Sequence, residues 1–112
     1  MLVRIPAKWK KTVRDILLAV DYDKILLRNR ARQDWEATFP LSFPCDLFLA
    51  IGNELKDSNI EGAKKEMDEP GETYALFFHY NKQKIYTKIC LTTDEQVIII
   101  YSAHPPLKGD KL

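Results

Sequence analysis

Between residues 10 and 20, Val13, Ile16, Leu17 and Val20 recur at helical spacing, with Lys10, Lys11, Arg14 and Asp15 on the other side. That pattern predicts an amphipathic helix of about three turns, ended by Asp21-Tyr22-Asp23. A short apolar run at 24–27 follows. Ala31, Trp35 and Phe39 then fall four residues apart, which predicts a second short helix. Pro40 and Pro44 punctuate the chain, with Ser42 expected as an N-cap and Pro44 as a first-turn residue. A third helix is expected to run to about residue 56, burying Cys45, Leu47, Phe48, Ile51 and Leu55. Residues 57–72 hold Asn59, Gly62, Pro70 and Gly71 among many charges and read as a long surface loop, with one turn at most near 63–67.

From residue 73 the period changes to two. Strands are expected at 73–80, 84–91 and 96–103, joined by turns at 81–83 and 92–95. Helices first and a meander second predict a single α+β domain over residues 1–112. Its helices pack on one face of an antiparallel sheet of three or more strands.

At 112 residues the chain is long enough to bury a core without disulfides or metals. The formal charge of +1 excludes a strong global pull toward nucleic acid, but the charge is unevenly spread. A stretch at 57–73 with six acidic and two basic residues separates two mildly basic ends. Cys45 and Cys90 lack metal-site or redox spacing and read as free thiols. No apolar run reaches membrane-spanning length and no signal peptide is recognisable, so a cytoplasmic protein without membrane contact is expected.

On the strand at 84–91, Ile85, Ile89 and Leu91 share one face, while Lys84, Tyr86 and Lys88 share the other. With a loop at 92–96, Leu91 opposes Val97, Tyr86 opposes Ser102 and Lys84 opposes His104. A slip of one residue would send His104 to the opposite face. Tyr86, Lys88 and His104 would together form a cluster of phenol, ammonium and imidazole suited to a phosphate and to proton transfer. His79, among aromatic neighbours, is expected to pack or hydrogen-bond at the sheet margin.

The ordered segments R-N-R-A-R at 28–32, P-G-E at 70–72, Y-A-L-F-F at 74–78, I-Y-T-K-I at 85–89 and I-I-I-Y-S-A-H-P at 98–105 are similar to a known family. The chain resembles the motility quorum-sensing regulator group of bacterial toxins, within the larger RelE-like and colicin-like ribonuclease fold. The resemblance runs from about residue 28 to residue 107, and Ala103 departs from the phenylalanine of many relatives. It implies the toxin of a toxin–antitoxin system: an endoribonuclease (mRNA interferase) that cleaves single-stranded RNA without a metal or other cofactor, held in check by a cognate antitoxin protein. It also implies His104, Lys88 and Tyr86 as the catalytic group. Arg28, Arg30 and Arg32, with Lys84 and Ser102, would bind the RNA. Lys64 and Lys65 are the cations available in the preceding loop. The competing expectation is a non-enzymatic interaction module on the same fold, docking a protein through an exposed strand edge or the aromatic strand at 74–80.

Overall fold

The first helix forms where the periodicity places it but starts a turn earlier. In the computed structural model, which describes residues 2–94 and 97–107, α1 spans Ala7–Leu18 behind an N-cap at Pro6. The earlier start recruits Trp9, whose indole N–H donates to the Glu72 carbonyl at 3.0 Å and whose ring meets Tyr74 edge-on. Lys10 is buried rather than solvated, because its ammonium reaches the Asp57 carbonyl at 3.2 Å while its stem lies along apolar surface.

Helix α2 spans Asn29–Thr38 and α3 spans Pro44–Glu54. Pro44 sits in the first turn of α3 as expected. The N-cap is Phe43 rather than Ser42, and the Asp46 carboxylate accepts the Phe43 N–H at 2.8 Å. Ser42 bonds the Tyr80 hydroxyl instead, at 3.2 Å.

The expected meander is present as β4 (Gly71–Tyr80), β5 (Gln83–Thr92) and β6 (Ile98–His104). Three further strands extend it: β1 (Val3–Arg4), β2 (Ile25–Leu27) and β3 (Glu61–Lys65). The apolar run at 24–27 becomes β2, which pairs in parallel with β6. Residues 61–65, expected in a loop, form β3, because Ala63 and its neighbours pair with 73–75 of β4. The ladder is a long-range partner that no local pattern announces. Among the described residues the sheet is six-stranded and mixed, in the order β1-β3-β4-β5-β6-β2. The start of the expected third strand at Gln96, and Glu95 of the preceding turn, lie outside the described residues.

The aromatic strand is flanked by β3 over only part of its length. β4 pairs with β5 along its whole length and with β3 over 73–75, and Tyr74, Leu76, Phe78 and Tyr80 join α1, α2 and α3 in the core. Trp35 anchors α2 at the centre, against Phe39, Phe78 and Tyr80.

Candidate functional site

The other face of the sheet, turned away from the helices, carries His79, Phe77, Ala75 and Thr73 of β4 and Lys84, Tyr86, Lys88 and Cys90 of β5. The β6 contribution depends on register, and here the structure departs from the expected pairing. Thr92 belongs to the ladder: its N–H donates to the Val97 carbonyl at 3.0 Å, and the Val97 N–H reaches the Thr92 hydroxyl at 3.3 Å. The turn is thereby one residue shorter, and Leu91 pairs with Ile98 rather than Val97. Continued unbroken, that slip would have turned His104 toward the helices.

A β-bulge reverses it. Ile89 pairs with Ile100, but Lys88 pairs with Ser102, leaving Tyr101 as the extra residue. Tyr86 then faces His104 rather than Ser102, and Lys84 faces only His79. The bulge has a packing cause. Ile98, Ile100 and Ala103 all belong to the core, and only an inserted residue lets a strand direct positions 98, 100 and 103 to the same side.

Two cross-strand rows result. Phe77, Tyr86 and His104 lie side by side, with Phe77 edge-on to Tyr86 at 6.0 Å and Tyr86 stacked on His104 at 5.4 Å. Ala75, Lys88 and Ser102 form the next row. Tyr86 is only 8% exposed, so it braces the imidazole and offers little surface to a nucleobase. His104 Nδ1 lies 2.8 Å from the Pro105 carbonyl, which can only accept, so the neutral ring holds its proton there and turns Nε2 into the basic nitrogen. The Lys84 ammonium sits 4.0 Å from the centre of the Phe77 ring, and Lys88 leans toward Tyr101 at 5.9 Å.

The three arginines stand in different positions. Arg28 precedes α2, lies over the Tyr101 ring at 5.7 Å and pairs with Glu69 at 3.3 Å. Arg30 pairs with Asp34 at 3.3 Å, and with His104 and Pro105 it lines a cleft of about 250 Å³. Arg32 points elsewhere, 3.5 Å from the Asn29 side chain and outside that cleft lining. His79 lies at the sheet margin as expected, with its Nδ1 3.3 Å from Glu54. Lys64 and Lys65 belong to β3, three strands away from β6 in the sheet. Cys90, on the strand face of Tyr86 and Lys88, is fully buried with its Sγ 4.0 Å from the Pro70 carbonyl.

Two participants were not anticipated: Tyr101 and Glu69. Residues 66–70 cross the helix-free face from β4 toward Arg28, so that Pro70 meets Cys90 and Glu69 meets Arg28. The crossing is anchored at Gly71, whose φ of +141° and close approach to the Leu91 carbonyl admit only glycine. The signal for Tyr101 was present in the sequence. Core-type residues at 98, 100 and 103 break the period of two, and such a break marks a bulge.

The Tyr101 hydroxyl is enclosed and has no hydrogen-bond partner of good geometry among the described residues. Burial pushes its phenol above the ordinary range; Cys90 and Glu69 act in the same direction and Arg28 opposes them. The folded state thus holds this proton more tightly than the unfolded chain. The associated stability is fully present below about pH 10 and is lost as pH rises from there through the folded pKa. Denaturant titrations at about pH 9 and about pH 11 should show a smaller alkaline loss for Tyr101→Phe than for the parent protein. Equal losses would refute this linkage. Tyr74, raised by burial and by Glu72, contributes alkaline sensitivity of the same sign that the variant keeps.

No helix among the described residues is long and apolar enough to cross a membrane. Comparison of the chain with protein-family models, curated proteins and solved structures gives no match.

Proposed function

We propose that this chain is an endoribonuclease that cleaves single-stranded RNA through attack of a ribose 2′-OH on the adjacent phosphate. In this reading it is the toxin of a toxin–antitoxin pair. The observation that carries the reading is the stacked Tyr86–His104 pair beside the Lys88–Ser102 row, on the sheet face turned away from the helices. The similarity of the 28–32, 85–89 and 98–105 segments to the toxin group supports the same reaction.

Each side chain has a role that its surroundings suit. His104 takes the 2′-OH proton at Nε2, because its Nδ1 proton is held by the Pro105 carbonyl. Lys88 has no ion-pair partner among the described residues, so its ammonium is available for the charge that grows on phosphorus and for the leaving 5′-oxygen. Tyr86 keeps the imidazole in place through the stack. Arg30, across the cleft from His104, holds a flanking phosphate, and Lys84 and Ser102 extend the contact along the face. The 2′-oxygen–phosphorus bond forms as the 5′-oxygen–phosphorus bond breaks, leaving a 2′,3′-cyclic phosphate and a 5′-hydroxyl.

One observation favours the second reading, a protein-interaction module. Leu41 and Phe43 are 96% and 68% exposed, next to a groove of about 430 Å³ lined by Asp46, Leu49, Asn53, Glu54 and His79. Incubation of the purified chain with a single-stranded oligoribonucleotide separates the two. Cyclic-phosphate ends, with growth arrest on expression that the neighbouring reading frame relieves, are the expected result. Intact RNA and unimpaired growth would leave only the interaction module.

A further inference from the structure

An acidic stretch such as 57–73 is poorly suited to contact RNA, yet one of its carboxylates pairs with the arginine that lies over the Tyr101 ring. Glu69 reaches Arg28 across 41 positions of sequence at 3.3 Å. The same guanidinium covers the Tyr101 ring, and Lys88 approaches that ring at 5.9 Å. Two cations therefore converge on one phenol whose hydroxyl is enclosed and lacks a partner of good geometry among the described residues. An oxyanion entering there would meet a guanidinium, an ammonium and an unused O–H donor, the set that recognises a phosphate.

We propose that Arg28, Lys88 and Tyr101 form a phosphate subsite for the RNA backbone, and that the Glu69 carboxylate fills its place as an internal stand-in until a phosphodiester displaces it. This rests on the ribonuclease reading and adds to it a second phosphate position, on the side of Lys88 away from His104, together with the group that competes for it. The displacement is easy. The Arg28 and Glu69 side chains are both more than two-fifths exposed, and an ion pair in that setting contributes little. It is also local, because Pro70 and Gly71 stay fixed against Cys90 and Leu91 while the chain ahead of them carries Glu69. A phosphodiester keeps its charge where Glu69 had it, and it reaches the phenol that Glu69 leaves unbonded.

The test is binding of a single-stranded 2′-O-methyl oligonucleotide, which lacks the attacking hydroxyl, to the full chain and to Glu69→Gln, Arg28→Ala and the double variant. Glu69→Gln should bind several-fold more tightly, and its affinity should fall with salt more steeply, by about 0.7 in the logarithmic slope for one added phosphate contact. The double variant should lose both gains. Affinity unchanged by Glu69→Gln, or a gain that survives Arg28→Ala, would overturn the subsite while leaving the ribonuclease reading intact. If neither the parent nor Glu69→Gln bound the oligonucleotide, the ribonuclease reading would fall. Titration with inorganic phosphate, followed by the amide resonances of Arg28 and Tyr101, would then decide the subsite alone. Saturable shifts in Glu69→Gln that are weaker in the parent support it, and their absence rejects it. A merely structural tether predicts lower thermal stability in Glu69→Gln with no gain in binding.

Discussion

Replacing Lys88 or His104 by alanine should each lower RNA cleavage by about 10²–10⁴-fold, with melting temperatures close to that of the parent protein. A factor of that size corresponds to roughly 3–5 kcal/mol of transition-state stabilisation. The expectation follows from the roles proposed above for the two side chains. In the proposed reaction, loss of the imidazole leaves nothing beside the Tyr86 ring to remove the 2′-OH proton, and loss of the ammonium leaves the charge on phosphorus unopposed. Stability should hardly change, because both side chains are only partly buried and neither belongs to the apolar core. Tyr86→Phe keeps the stacked ring and should cost far less than Tyr86→Ala, which frees the imidazole. Cleavage by both alanine variants at parental rates would remove these residues from the chemistry, and equal effects of the two Tyr86 substitutions would remove the bracing role.

Trp35→Ala should destabilise the fold by about 3–5 kcal/mol, the range for a large aromatic cut out of a packed core. Trp35 is fully buried and its ring touches Phe39 at 4.7 Å, Tyr80 at 5.0 Å and Phe78 at 6.2 Å. Domains of this kind are stable by only about 5–15 kcal/mol, so the variant would be unfolded in part or become so on mild heating. Trp35→Phe separates packing from polarity. The indole N–H is buried with no hydrogen-bond partner among the described residues, and such a group costs about 1–3 kcal/mol. Removing it while keeping an aromatic ring offsets part of the lost contact, so Trp35→Phe should cost much less than the alanine variant. Urea denaturation gives both numbers, and a phenylalanine variant as unstable as the alanine one would contradict the argument. The consequence extends to the site. Trp35 seats the helix that carries Arg30 and follows Arg28, so Trp35→Ala should also loosen the cleft beside His104.

Half of the candidate site was legible in the amino-acid order. Tyr86 and Lys88 share a face because residues two apart on any strand do so, and alternation with Ile85, Ile89 and Leu91 made the strand plain. The position of His104 relied on a chain of pairings, where a single error inverts the answer. Thr92 joined the ladder and introduced that error, and the bulge at Tyr101 cancelled it. His104 therefore shares the face of Tyr86 and Lys88 by a different route from the one expected, and its direct neighbour is Tyr86 instead of Lys84.

What the amino-acid order determined by itself was local: which segments are helical, which faces are apolar, and that three strands close the chain. These depend on spacings of two to four residues and on Pro and Gly punctuation, and neighbours in sequence are enough to set them. Only the tertiary structure decided the rest. It paired β2 in parallel with β6, drew β3 out of an expected loop, placed the bulge, and brought Glu69 onto Arg28. Each of those depends on a partner distant in the chain, chosen by which residues the shared core can bury and which charges the folded sheet brings together.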